Sequence, residues 1–361
     1  MFIAIVAFLL IFSLVVLVHE LGHFYWARKT GVKVEEFGFG LPPRIWGKKR
    51  GDTIYSINWI PFGGFVRLYG EGSEFQNDKQ AFAHKKPIAK LAIVVGGVVM
   101  NFVLGLVVMM IGFWSGMPPL ATPVEQYVAD STRIESQVLV VGTVNDSAAI
   151  KAGLLPGDFI ISADDQKFNV PSELKTYIQS QGFSPIQLII MRDRQSIPIT
   201  VTPARNDKGE AEIGVLLDRH INKVAYVWWQ VPWLAWQETV RVLGLVIISI
   251  ASFLYRLFTT ASLPVEISGP VGIAKITAEV VRLGWFRVLQ FVIFLSLNLG
   301  VINLVPFPGL DGGRLMFVLM EFFRKGKRLP GNIENTINTL GVILLVLLIV
   351  VVTYKDIIKI I

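Results

Sequence analysis

The chain of 361 residues contains no cysteine. Disulfides and thiolate metal sites are thereby excluded, whatever the compartment. Charge is scarce as well: 17% of residues are Asp, Glu, Lys or Arg, against about 25% in a soluble domain. Histidine is scarcer still, with four in the chain. The space is filled by apolar side chains, at 53% of residues. That balance fits an integral membrane protein with a modest soluble part, with room for about four membrane helices and one domain of about 100 residues. The formal net charge is +7, but the basic residues sit beside the apolar runs. That distribution belongs to membrane topology, and no nucleic-acid partner is expected. The N-terminus has no positively charged start and no small-residue cleavage site after its apolar run, so it reads as a retained span.

Four stretches are long and apolar enough to cross a bilayer, at residues 1–25, 91–114, 288–305 and 337–353. A fifth, 242–255, is bracketed by Arg241 and Arg256. At about 14 residues it is short for a span and reads as an interfacial or re-entrant helix, next to Trp228, Trp229, Trp233 and Trp236. Basic clusters follow the first span (Arg28, Lys29, Lys33, Arg44, Lys48, Lys49, Arg50), precede the second (Lys79, Lys85, Lys86, Lys90) and separate the last two (Arg324, Lys325, Lys327, Arg328). With four crossings all three fall on one side, which the positive-inside rule assigns to the cytoplasm. Both termini and the central segment, which carries more acids than bases, then lie outside.

The central segment reads as a small α/β domain. "VLVVGTV" and "FIISADD" are strand-like, and "QLIIMRDRQSIPITV" is a hairpin with "RDRQS" as its turn. "PSELKTYIQSQG" starts a helix with Ser172 as N-cap and stops it at a glycine. A short helix in "DSAAIKAGLLPGDFI" ends at Gly153, and Pro156-Gly157 turns the chain back. A separate stretch, "TIYSINWIPFGGFVRLYGE", alternates apolar residues around Pro61-Phe62-Gly63-Gly64. It is too apolar for a soluble loop. It reads either as a β-hairpin dipping into the membrane, its backbone satisfied by protein or a water-filled cavity, or as a surface hairpin beneath it.

The chemistry lies in "LVVLVHELGHFYWARK". His19, Glu20 and His23 end about eighteen uncharged residues. Ionisable groups at membrane depth are costly and mark function. H-E-x-x-H on a helix brings His19 and His23 one turn apart on one face, where two neutral imidazoles can share a Zn²⁺, with Glu20 beside them to take a proton from water. A catalytic zinc needs a third protein ligand and an open position. The carboxylate at matching depth is Asp311, in "NLVPFPGLDGG", where Pro306, Pro308 and the glycines break the helix. The other reading of Asp311 is an ordinary loop aspartate. With the N-terminus outside, His19 lies roughly 27 Å along its helix, near the cytoplasmic face of a core about 30 Å thick.

"HELGH" in the first span, "NLVPFPGLDGG" after the third and "A-x-x-A-G-L-x-x-G-D-x-I" in between (Ala149, Ala152, Gly153, Leu154, Gly157, Asp158, Ile160) together resemble the site-2 proteases, intramembrane zinc metalloproteases with an inserted PDZ domain. The resemblance runs almost end to end and includes "PFGGFV" and "SGPVGIAK". It is nearest to the bacterial RseP-type branch, which cleaves membrane-anchored anti-sigma factors. It implies a polytopic α-helical membrane protein of about four transmembrane helices, with a re-entrant β-hairpin and one extracytoplasmic PDZ-like α/β domain. The expected parts are 1–120 (catalytic helix, β-loop and second span), 121–222 (PDZ-like), 223–285 (interfacial helical region) and 286–361 (LDG motif and last span). It implies His19, His23 and Asp311 as zinc ligands and Glu20 as general base. Asn298 and Asn303 would contact the substrate backbone, and Gly63-Gly64 would sit in a loop that guides a substrate strand. The expected partners are single-span membrane proteins, membrane lipid and a peptide C-terminus at the PDZ-like domain; the expected location is the bacterial inner membrane, with the active site near its cytoplasmic side. Many RseP-type proteins carry two PDZ domains, and this chain has room for one.

Two other classes compete: a non-catalytic membrane PDZ scaffold with a structural metal, which would tolerate Glu20→Gln, and a metal transporter, for which too few acids and histidines are spread along the spans. The absence of cysteine makes the topology testable. Single cysteines at Lys48 and Lys79 should be sealed from an impermeant thiol reagent in intact cells, and one at Lys175 should be labelled. Labelling at Lys48 would reverse the orientation.

Overall fold

Runs of Ile, Val, Leu and Phe without proline become long helices. A computed structural model of the chain describes every residue except 1, 72–77, 124–133, 193–194, 207–208, 261–268, 325–329 and 359–361. In chain order its elements are α1 (Phe2–Lys29), β1 (Val34–Arg50), β2 (Thr53–Leu68), α2 (Pro87–Ser115), β3 (Ile134–Thr143), α3 (Ala148–Lys151), β4 (Phe159–Ala163), α4 (Pro171–Ser180), β5 (Ile186–Arg192), β6 (Gln195–Val201), β7 (Ala204–Arg205), β8 (Ala211–Glu212), β9 (Val215–Val224), α5 (Val231–Thr260), α6 (Pro270–Leu283), α7 (Trp285–Leu304), α8 (Asp311–Phe323) and α9 (Gly331–Ile358). Two compact units result. One holds Met1–Gly112, Leu120–Thr122 and Pro232–Ile361, and the other Phe113–Pro119 and Pro123–Val231.

In the first unit α1, α2, α5, α7 and α9 are each long and apolar enough to cross a bilayer. The expectation of a short helix at 242–255 is therefore corrected: α5 has 30 residues, because the flanking Arg241 and Arg256 do not end it. Its first half has a buried face of Ala235, Glu238, Thr239, Val242 and Val246. The buried Glu238 carboxylate accepts from the backbone N–H groups of Leu120, Ala121 and Thr122 at 2.7, 2.6 and 3.2 Å. Arg324 ends α8, while Lys325, Lys327 and Arg328 of the third basic cluster lie outside the described residues.

The β-hairpin is also larger than the sequence pattern implied. Its tight turn is at Gly51–Asp52, where Arg50 pairs with Thr53, and Pro61–Gly64 is a bend inside β2. The sheet folds on itself, so that Gly38 pairs with Ser56 on one side and Phe65 on the other. Along β2 the usual alternation is inverted. Ser56 and Asn58 are buried, whereas Ile57 and Trp59 are exposed, Trp59 at 70%. Alternation placed the apolar residues on one face but could not say which medium that face meets.

The second unit is built on a five-stranded sheet in the order β6-β5-β4-β3-β9, with α3 and α4 beside it. Val138, Val140, Ile160, Leu174, Ile186, Leu188 and Ile190 form its dry core. β5 and β6 close as a hairpin at Arg192 and Gln195, and the Asp193-Arg194 part of the expected turn lies outside the described residues. Ser172 does not cap α4. Val170 is the N-cap and Pro171 opens the helix, its fixed φ suiting the first turn. Ser147 does cap α3, accepting from the N–H of Ile150, and Gly153 follows at φ +86°.

Asp158 ties this unit together. It is 1% exposed and takes two 2.7 Å bonds from Arg192 and one of 2.8 Å from the Leu155 N–H. Burial alone would raise the Asp158 pKa, but these donors outweigh it and hold the carboxyl below its ordinary value. A carboxyl lowered on folding stabilises fully above its unfolded value and loses that contribution as pH falls through the folded one. Resistance of this unit to limited proteolysis in the full-length protein should therefore decline below about pH 4. Asp158→Asn should cost about 1–3 kcal/mol at neutral pH and flatten that decline. An unchanged acid profile in Asp158→Asn would contradict it.

Candidate metal centre and catalytic pocket

Glycines let the helices that carry the polar groups approach closely. A Cβ on Gly22 would overlap the Gly96 carbonyl of α2, and one on Gly97 would stand 2.6 Å from His23 Nε2 and 2.8 Å from His19 Nε2. α1 and α2 thus cross in near-backbone contact beside the two histidines, the small-residue packing that membrane helices use. α2 also meets α7, where Gly105 lies against Leu297 and the Ser296 hydroxyl donates to the Asn101 carbonyl at 2.8 Å.

α7 then ends at Leu304, and the chain turns through Pro306 and Pro308 to reach α8 at Asp311. This turn is held by close contacts. A Cβ on Gly312 would overlap the Val305 carbonyl, one on Gly341 would overlap the Pro308 carbonyl, and Gly309 adopts φ +92°. The result delivers Asp311 to the histidines. His19 Nε2 and Asp311 Oδ2 lie 2.8 Å apart, His23 Nε2 and Asp311 Oδ2 3.1 Å, and the two Nε2 atoms 3.1 Å. His19 and His23 are buried, at 3% and 9% exposure. Nitrogen and oxygen donors at all three corners of one small triangle are a metal-ligand set. A tetrahedral zinc with bonds of about 2.0–2.1 Å needs donors roughly 3.3 Å apart, so the residues fit the ion.

The His23 Nδ1 lies 2.8 Å from the Ile93 carbonyl of α2. Glu20 lines a cavity of about 220 Å³ together with His23, Asp311, Arg314, Phe65 and Val94. Gly64 of β2 backs this rim: a Cβ there would lie 2.9 Å from the Gly38 carbonyl and 3.9 Å from Glu20 Cγ. Gly63, at φ +72°, lies against Val16, and its N–H donates to the Ser13 hydroxyl at 3.2 Å. Asn303 reaches the site, with Nδ2 3.2 Å from His19 Nε2. Asn298 is about 140° round the helix from it and donates to the Phe294 carbonyl one turn back, at 2.8 Å.

Some neighbours carried no motif in the sequence. A cavity of about 480 Å³ adjoins the first and shares Glu71, Phe82 and Arg314 with it; Arg314 and Glu71 pair at 2.7 Å. Beneath it the fully buried Lys90 donates to both oxygens of Glu321 at 2.9 Å, joining the start of α2 to α8. A lysine in a basic cluster gives no hint that it will be buried.

A family model described as peptidase family M50 matches residues 7–348. The chain belongs to that family. A Clostridium perfringens protein named as a putative zinc metalloprotease is 32% identical over 97% of both chains. The regulator of sigma-W protease RasP of Bacillus subtilis is 27% identical, covering 98% of both. The chloroplastic membrane metalloprotease ARASP of Arabidopsis thaliana is 29% identical over 96% of this chain and 77% of its own. A solved PDZ domain of a Listeria innocua SdrC-like protein aligns with 23% of this chain and 96% of its own at 28% identity and a TM-score of 0.21, too low to bear on the fold. The M50 chain is a zinc-dependent intramembrane endopeptidase, a multi-pass membrane protein that acts on membrane-protein substrates.

The close approach at Gly97 gives a direct check. Gly97→Ala should weaken zinc binding by more than about tenfold and remove cleavage, while the protein stays monodisperse in detergent. Full zinc content in Gly97→Ala would mean that the helices part without cost.

Proposed function

We propose that this peptidase cuts single-span membrane proteins within the membrane, with His19, His23 and Asp311 as the ligands of one zinc and Glu20 as the general base. The observation that carries the reading is the triangle of His19 Nε2, His23 Nε2 and Asp311 Oδ2 at 2.8–3.1 Å, with Glu20 on the same cavity. Bound zinc supplies a Lewis acid for the scissile carbonyl and its attacking water. Glu20 takes the proton of that water and passes it to the leaving amine. Asn303 holds the substrate carbonyl through its amide N–H groups, and Asn298 contacts the substrate backbone only if it leaves its bond to Phe294. A helical peptide bond is shielded by its own hydrogen bonds, so the substrate must unwind. The bend at Gly63-Gly64, next to Val16 and Glu20, receives the unwound strand.

The inverted alternation of β2 supports a hairpin that enters the membrane, its apolar side chains toward lipid and its backbone tied to Ser13 of α1. Four crossings, by α1, α2, α7 and α9, are supported by parity. The start of α6 meets the far end of α9, where the Gly272 N–H donates to Asp356 at 2.8 Å. Its end leads straight into α7, whose opposite end carries Asn303 to the metal centre. Both ends of α6 thus belong on the face away from the site. If α5 crossed, the link from Thr260 to Gly269 would have to return through the core. Nine residue steps separate Thr260 from Gly269, about 30 Å at full stretch and barely the core thickness. α5 is then an outer-face helix, anchored by Trp233 and Trp236. The basic residues at the end of α1 and before α2 support an active site near the cytoplasmic side and a PDZ-like unit outside.

In that unit β9 is an edge strand, and a groove of about 260 Å³ runs between it and α4, lined by Lys175, Ile178, Gly214, Val215 and Leu217. An extended C-terminus of a trimmed substrate adds to β9 as a further strand. Anti-sigma-factor-like membrane proteins and signal-peptide remnants are the substrate classes that the RseP-type resemblance implies, and a Bacillus relative named as a regulator of sigma-W protease is in keeping with the first.

The test compares wild type and Glu20→Gln on a tagged single-span substrate in detergent, with zinc measured on both. Near-stoichiometric zinc in both, and a cleavage rate at least about 10²-fold lower in Glu20→Gln, is the expected result. Equal cleavage would remove Glu20 as the base, and no zinc in either would overturn the metal reading.

A further inference from the structure

We propose that Asn101 of α2 is the positioning residue of His19: its side-chain carbonyl accepts the His19 Nδ1–H and fixes the direction of Nε2 toward Asp311 and His23. The inference rests on the zinc reading above. A neutral histidine that ligates through Nε2 carries its proton on Nδ1 and needs an acceptor there, or the ring is free to turn. His23 has one in the Ile93 carbonyl. For His19 the group within reach is the Asn101 side chain, whose amide nitrogen lies 3.3 Å from Nδ1.

Asn101 is 0% exposed. With its amide nitrogen toward the ring, its Oδ1 is buried with no hydrogen-bond partner among the described residues. Turning the carboxamide by half a revolution sets Oδ1 against Nδ1–H, and the two ends of an amide differ little in shape. That turn pairs the ring proton that Nε2 ligation leaves on Nδ1 and moves the unpartnered end of the amide from Oδ1 to Nδ2, so the tautomer of His19 selects the orientation. The rest of Asn101 is fixed, since its backbone carbonyl accepts from Ser296 and its Cβ lies 3.5 Å from where a Gly300 Cβ would be. Asn101 lies one helical turn from Gly97, so one face of α2 both admits the histidines and orients them. Ile93 is on the same helix two turns from Asn101, and α2 would thus supply the outer partners of both histidines. Such partners are worth about 10–100-fold in metal affinity.

The experiment measures zinc affinity of the full-length protein in detergent by chelator competition, and the visible spectrum of its Co²⁺ form, for wild type, Asn101→Leu, Asn101→Ala and Asn101→Asp. Leucine is close in size but accepts nothing. Alanine is a smaller second non-acceptor, in case leucine disturbs folding. Aspartate keeps an acceptor. The expected result is a loss of about 10–100-fold in Leu and Ala with an altered Co²⁺ spectrum, and a return to within about threefold of wild type in Asp. Wild-type affinity in the folded non-acceptor variants, or an equal loss in Asp, would overturn the proposal. No zinc in wild type would instead overturn the metal reading itself.

Discussion

The structure depends on the meeting of two imidazoles and one carboxylate in an apolar surrounding. Each alone at membrane depth would be strongly unfavourable, because hydrocarbon offers no water to replace its hydration. Brought within 2.8–3.1 Å of one another, they form a donor set able to hold a divalent cation, whose charge would offset that of the carboxylate. Their position demands much of the chain around them. α1 must run from its apolar start to His23 without a break, α7 must stop, and the chain must return Asp311 to the same depth.

Glycine makes this approach practicable. Gly22 and Gly96 bring two helix backbones together, Gly97 leaves the imidazoles their space, and Gly312 and Gly341 let α8 and α9 press on the Val305–Pro308 turn. Between lipid-facing helices there is no hydrophobic driving force to compensate a poor fit, so close packing carries the association. Polar groups then complete it: Ser296 to Asn101, His23 to Ile93, Lys90 to Glu321. The second unit follows another rule. Its aliphatic core excludes water, and the Asp158–Arg192 pair secures the Gly153 and Leu155 turn against it.

The division between reading and structure follows the range of the signals. His19, Glu20 and His23 lie within one turn and a half of a helix, so their convergence is a matter of helical geometry and was legible. Asp311 is 292 residues from His19 and was reached by matching depth, with a loop aspartate as the competing reading; the fold brings its Oδ2 to 2.8 Å from His19 Nε2. Helix existence was legible from apolar runs; the extent of α5 was not, because an arginine does not by itself end a helix and Arg241 finds its partner in Thr122, over a hundred residues away. The turn of the hairpin was misassigned to Pro61–Gly64 because those residues favour turns, while the pairing partner that fixed Gly51–Asp52 lies in β1. Gly97 had no signal of its own, and Asn101 had only its polarity in an apolar run, which does not say what it faces.

The sequence by itself determined the medium, the number of long apolar helices to within one among the described residues, the α/β character of the inserted domain and the placing of two histidines and a glutamate on one helix turn. These depend on composition and on periods of two and 3.6 residues, which are local. Tertiary structure alone decided what faces what: that β2 turns its polar side inward, that Lys90 is buried against Glu321, that Asn303 reaches His19 while Asn298 bonds its own helix. Those outcomes are set by close contacts between segments tens to hundreds of residues apart, and no local pattern of side chains encodes them.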